Sequence, residues 1–289
     1  MEPRLWLGCV DISIGLPNTL HHPGPLMVDW ARRAEERGFT SLATIDRIVY
    51  PTFDTMTTLA VAAGATSRIG LLSGVLLAPL YPPVWLAKSA ASLAAMSGGR
   101  LTLGLGVGGR ADDFAAMGRD MRRRGRYMDE ALEVMRTVFA GRKLDGHAFP
   151  VAPPGKPRLL IGGGSDAAVR RTVEYGEGWI MGGGPPGAAV PMIEKISKAW
   201  RDAGREGKPR IVGLAYFGLA DEEGSRRALR TYYAFTGGYA EAVADSALRA
   251  PQRLKDAVEA YREAGFDELI FQPTVPDLGE VDRLADVVR

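Results

Sequence analysis

Residues 104–109 read G-L-G-V-G-G, a match to G-x-G-x-x-G. Such a spacing grips a dinucleotide pyrophosphate when it ends a strand, opens a helix and is followed about twenty residues later by an acid closing a second strand. Here Gly104 and Gly106 fall inside a strand-like run, L-T-L-G-L-G-V (101–107), and the polar stretch after it opens no clean amphipathic helix. Asp129, 20 residues beyond Gly109, begins a helical pattern. The dinucleotide reading therefore fails. Glycines inside a strand mean instead that its backbone lies close to another backbone or to something large and flat. A second glycine cluster, Gly162-Gly163-Gly164-Ser165, stands before a helical segment. Converging amides at a helix N-terminus suit a phosphate, and the same residues would also make a tight strand-to-helix turn without ligand. Asp46-Arg47 is the most polar pair at a predicted strand end. Metal chemistry is not expected: of three histidines, His21 and His22 are adjacent and His147 sits in a Pro/Gly-rich loop, with no ligand spacing among them. No G-x-S-x-G elbow is present. Five arginines within 119–126 read as a solvated basic loop, with an acid-binding surface as the alternative.

The elements that must hold these residues follow from hydrophobic pattern. Eight short, nearly continuous apolar runs read as strands covered on both faces: 4–11, 41–45, 69–77, 101–107, 158–162, 178–181, 210–217 and 268–272. Helical patterns alternate with them, as at Met128, Leu132, Met135 and Phe139, and again at Leu254, Val258 and Tyr261. Asp54 and Ser165-Asp166 are expected helix caps, and Gly38, Gly176 and Gly265 fall where a left-handed helix end favours glycine. Eight strands alternating with helices predict a (β/α)8 TIM barrel in one domain, 1–289, with extended loops after the first and fourth strands. The site then lies at the strands' C-terminal ends: Asp11 and the His21-His22 loop, Asp46-Arg47, Ser73-Gly74-Val75, Gly108-Gly109-Arg110, Gly162 to Asp166, and the glycines after Met181. Loops 12–25, 110–125 and 141–157 would shape a pocket.

The 289 residues suit such a barrel, and a net charge of +2 implies no nucleic-acid or membrane field. The lone Cys9, in an apolar run, is expected to be a buried structural thiol. With no signal-like N-terminus and no long apolar segment, a soluble cytoplasmic protein is the expectation.

The chain resembles the bacterial luciferase-like oxidoreductases. The resemblance is carried by E-R-G-F-T-S-L-A-T-I-D-R (36–47), L-S-G-V-L-L-A-P-L-Y-P-P-V-W-L-A-K (72–88), L-A-A-M-S-G-G-R-L-T-L-G-L-G-V-G-G (93–109) and L-L-I-G-G-G-S-D-A-A-V-R-R (159–171) with G-E-G-W-I (176–180). It implies FMN, or alternatively the deazaflavin F420, at the barrel mouth. Gly162, Gly163, Gly164 and Ser165 would hold the cofactor phosphate. Ser73, Gly74 and Val75 would form a bulge behind the ring, with a non-prolyl cis peptide at Gly74-Val75. Gly108 and Gly109 would lie against the ring or its ribityl chain. Many members follow the acid of the second strand with histidine; here it is Asp46-Arg47, and arginine stays charged and cannot shuttle a proton as histidine does. It can stabilise a developing anion or anchor a carboxylate. Asp46 and Arg47 are thus the expected catalytic or substrate-orienting pair, with His21 or His22 as a possible base. A glutamate of the family's sugar-phosphate dehydrogenases is replaced by Ala111, which argues against that activity. The implied function is reduced-FMN and O2-dependent monooxygenation of a small organic substrate, with a separate flavin reductase as partner and a homodimer as assembly. The alternatives are F420-dependent hydride transfer, a non-redox barrel enzyme for a phosphorylated substrate, and a non-catalytic flavin binder.

Overall fold

A computed structural model describes residues 9–289. Its strands are β1 (Asp11–Gly15), β2 (Ser41–Thr44), β3 (Gly70–Leu76), β4 (Leu101–Leu105), β5 (Arg158–Gly162), β6 (Gly178–Ile180), β7 (Arg210–Phe217) and β8 (Glu268–Pro273). Its helices are α1 (Leu26–Glu36), α2 (Thr55–Ala65), α3 (Pro83–Met96), α4 (Ala111–Ala116), α5 (Arg124–Phe139), α6 (Asp166–Tyr175), α7 (Val190–Asp202), α8 (Glu222–Tyr233), α9 (Tyr239–Ser246), α10 (Pro251–Glu263) and α11 (Gly279–Val288). All strands are parallel, each pairs with its sequence neighbours, and β1 closes on β8, so the sheet is an eight-stranded closed barrel ringed by helices. The expected TIM barrel is what forms. Leu42, Leu71, Leu103, Ile161 and Phe271 are buried because each strand packs on side chains within and on helices without.

Local signals act as their chemistry requires. Asp54 accepts a 2.7 Å hydrogen bond from the Thr57 amide at the start of α2, and Ser165 caps α6 by accepting from the Ala168 amide at 3.3 Å. Gly38 and Gly265 have φ of +79° and +89°, the left-handed turn expected of them. Gly176 does not: its backbone is extended, and a side chain there would meet the Thr172 carbonyl at 3.0 Å. Arg100 ties α2 and α3 to β3 by donating to the carbonyls of Ser97, Ile69, Ala63 and Thr66.

Four expectations are corrected. The first strand begins at Asp11 instead of ending there, because pairing with β8 starts at Asp11 opposite Glu268; residues 4–8 lie outside the described residues. Asp11 is therefore at the barrel floor, away from the C-terminal site. Cys9, just before that pairing begins, is exposed and not a buried thiol. The region 110–125 holds a short α4 and a turn at Met121–Arg123, where no helix was expected. The long excursion between β7 and β8, carrying α8 and α9, is as extensive as the one after β4.

Candidate active site

The barrel mouth is built on a break in β3. The ladder between β3 and β4 shifts between Ser73 and Leu76, and the Gly74–Val75 peptide is cis. The expected position of that bond is correct. Ser73 is fully buried and donates its hydroxyl to the Gly104 carbonyl at 2.9 Å. A Cβ on Gly104 would lie 2.2 Å from the Ser73 carbonyl oxygen, and one on Gly106 would lie 2.6 Å from Val75 Cγ2. On its other side Val75 stands 3.5 Å from the Cβ that Gly162 lacks. Val75 is thus wedged between β4 and β5; Gly106 leaves room for its side chain and Gly104 for the Ser73 carbonyl, while the third glycine of the motif takes no part. Gly108 has φ +76° and packs on Phe114 and Leu77, while Gly109 is exposed and borders open space.

Gly163, Gly164 and Ser165 are exposed at the N-terminus of α6, with Gly163 at φ +108° and open space around Gly164. The Trp179 indole donates to the Gly163 carbonyl at 2.9 Å and fixes the loop. First-turn amides lack intrahelical acceptors, so the loop is a rigid, open cradle suited to an anion. Lys195 pairs with Asp166 at the same helix end.

Asp46 is 4% exposed and faces away from solvent. Its carboxylate accepts from the Leu77 amide at 2.9 Å and the Tyr81 hydroxyl at 3.1 Å. Burial pushes its pKa up from 3.8 to about 6; the two hydrogen bonds pull the other way, and the charges of Asp54 and Asp113 add to the rise. Asp46 therefore holds the turn after the β3 bulge. The folded carboxyl binds its proton more tightly than the unfolded one, so its contribution favours folding below about pH 4 and is lost as pH rises through about 6. An Asp46→Asn amide can accept from Leu77 and donate to Tyr81. We expect D46N to abolish a fall of up to about 3 kcal/mol in wild-type stability between pH 4 and 7, measured by denaturation across that range. Parallel profiles for the two proteins would refute this.

Arg47 points the other way, toward α8. It donates to the Tyr232 carbonyl at 2.9 Å and its guanidinium lies 4.4 Å from the Tyr50 ring centre. Arg110, at the end of the β4 loop, joins it: its guanidinium lies 4.3 Å from the Phe235 ring and 4.9 Å from the Tyr232 ring. Burial pushes the Tyr232 hydroxyl up to about 12, against the lowering effect of Arg110. Asp113, fully buried, accepts from the Ile48 and Val49 amides at 3.1 and 2.7 Å and fastens the β2 loop to α4. Of the two expected histidine bases, His22 is locked between the Pro17 and Pro23 carbonyls and His21 is exposed.

The structure thus brings Ser73, Gly74, Val75 and Gly162 together around one wedge, places Asp46 behind the following turn and sets Arg47 on the opposite wall. Arg110 stands at the expected end of the fourth strand, but Tyr232 and Phe235 are outside the expected site; three aromatics in T-Y-Y-A-F (231–235), outside any strand pattern, were the available signal. The 119–126 arginines are mostly solvated, with Arg122 92% exposed, as the basic-loop reading expects. Among the described residues, no cluster of three or more His, Cys, Asp or Glu could hold a metal, and no helix is long and apolar enough to cross a membrane.

A flat ring with a phosphate tail fits two of these features, a wedge backed by glycines and an open amide cradle. Comparison with known proteins places the fold and the family. An uncharacterised protein of Mycobacterium tuberculosis is 29% identical over 206 residues, covering 61% of this chain and 71% of the relative. An F420-dependent secondary alcohol dehydrogenase, solved with an F420–acetone adduct, superposes with a TM-score of 0.77 at 20% identity over 97% of this chain and 98% of that one. A monooxygenase of Streptomyces bottropensis gives 0.77 at 22% identity over 96% and 97%. Residues 15–285 match the luciferase-like monooxygenases, and the chain belongs to that family.

Proposed function

We propose that this chain is a reductase that takes hydride from reduced F420 held at the barrel mouth and delivers it to a small polarised acceptor. The carrying observation is the pairing of two fixed cations, Arg47 and Arg110, at the mouth, where the buried His22 is tied to two proline carbonyls. When bound, the cofactor supplies the hydride. Everything else falls to the chain. Gly163, Gly164 and the Ser165-capped helix bind the phosphate. Val75 and the Gly106 backbone support the ring. Arg47 and Arg110 stabilise negative charge that develops on an acceptor, a role that needs no proton transfer from them. The proton that completes the reduction is taken from solvent. The F420-dependent alcohol dehydrogenase supports the choice of cofactor through shared fold.

A second reading, oxygen-dependent monooxygenation with reduced FMN, is favoured by the family's description and by the Streptomyces bottropensis monooxygenase. Paired titrations with F420 and FMN, in both redox states, separate them. Trp179, bonded to the Gly163 carbonyl, is the natural reporter. Tighter F420 binding with oxygen-independent turnover is the expected result. FMN preference with oxygen uptake would replace the reductase by the monooxygenase, and binding of neither would end both.

The assembly is read from α2 and α3. Both are apolar on nearly every side, and Trp85 and Met96 remain 51% and 84% exposed beside a groove of about 380 Å³. A helix apolar all round belongs in an interior, so we assign this face to a second copy of the chain. Sedimentation is expected to give a dimer, and Ala60→Arg, at the groove, a monomer; a wild-type monomer would refute it.

A further inference from the structure

We propose that Arg47 and Arg110 form an anion subsite and that the substrate is a carboxylic acid with a flat, apolar body. The inference rests on the barrel mouth being the reaction site. The two guanidiniums share one pair of rings: Arg47 lies 5.2 Å from the Tyr232 centre and 5.5 Å from that of Phe235, and Arg110 lies 4.9 and 4.3 Å from the same two. Two like charges on one pair of rings favour a counter-charge. Among the described residues the one acid paired with either is Asp112, 3.8 Å from Arg47 and 46% exposed, too far for a hydrogen bond. The Arg47 side chain is 8% exposed, yet of its donors only one makes a hydrogen bond, to the Tyr232 carbonyl; its Nε is buried and unpartnered. Arg110 Nε is buried and unpartnered too. The Tyr232 hydroxyl beside it is buried without a well-formed bond.

Buried guanidinium donors without acceptors are costly. The group that satisfies planar forks of this kind is a carboxylate, which accepts two parallel hydrogen bonds. The cations' aromatic surroundings set the rest of the ligand: Phe235, 49% exposed, and the half-buried Tyr50 offer ring surface to a flat apolar body. Tyr50 also lines a cleft of about 340 Å³, with Thr19, His21, Thr231 and Thr274, of the size that admits a small molecule.

Isothermal titration of the full chain, with and without cofactor, compares cinnamate with cinnamamide, its neutral counterpart of equal size. Cinnamate is expected to bind roughly ten- to a hundredfold more tightly, from charge-assisted hydrogen bonds. Arg110→Gln is expected to cut that preference to about threefold or less and Arg110→Lys to keep part of it, with cofactor affinity measured beside each. Equal binding of acid and amide by wild type, or no saturable binding of cinnamate, overturns the subsite. Loss of cofactor binding by wild type would instead overturn the function proposed above, since the acid–amide comparison in apoprotein does not depend on it.

Discussion

Arg210→Met is expected to cost about 3–5 kcal/mol of stability, the usual loss when one partner of a buried ion pair is removed. Arg210 opens β7 and pairs with Glu268, which opens β8 and is 1% exposed. The other Glu268 oxygen accepts from the Ser13 hydroxyl of β1, so one carboxylate joins the three strands on either side of the barrel's closure. Methionine fills the volume of arginine but leaves the carboxylate charged in the floor. For a chain of this size the loss corresponds to a fall in Tm of roughly 10 °C. The double variant with Glu268→Gln separates charge from packing: an amide in the floor carries no charge, so most of the loss is expected back. Scanning calorimetry reads both. An R210M protein within about 1 kcal/mol of wild type would show that Glu268 needs no counter-ion.

Gly164→Asp is expected to leave the fold intact and weaken cofactor binding on the order of a hundredfold. A Cβ at Gly164 meets nothing within 4 Å, and its φ is not left-handed, so folding stability should move by less than about 0.5 kcal/mol. The new carboxylate would stand in the amide cradle, where like charges at a few ångströms repel by several kcal/mol before salt screening, on the order of 4 at an effective dielectric of 20. Gly164→Asn is the control, because it has the same shape without the charge. Tryptophan quenching through Trp179 gives the affinities. If Asp and Asn weaken binding equally, the effect is steric and the cradle does not hold a phosphate.

Much of this architecture was legible because a strand buried on both faces writes itself as a continuous apolar run. R-L-L-I-G and R-I-V-G-L-A-Y-F gave β5 and β7 to the residue. The same signal misplaced β1, since hydropathy cannot see where a neighbour's ladder begins. Helix α8 stayed hidden for the opposite reason. Its surface is laced with charges such as Glu222 and Arg226, and only Ser225, Leu229 and Tyr232 are buried. The glycine wedge could be read because its members lie in two short motifs. The arginine–aromatic wall could not: positions 47, 110 and 232–235 come from three separate connections, and no spacing in one dimension announces that they meet.

A closed ring offers no terminal strand on which another molecule could template itself, but it is only as firm as its shortest link. That link is β6, three residues long, held to β5 at Leu160–Gly162 and to β7 at Arg210–Val212. Its central residue is Trp179, the same side chain that clasps the loop at Gly163. The seam of the barrel and the grip on the anion cradle therefore share one fastener. Whatever occupies the cradle acts as a rivet across the seam, and by mass action its concentration sets how often the ring springs open.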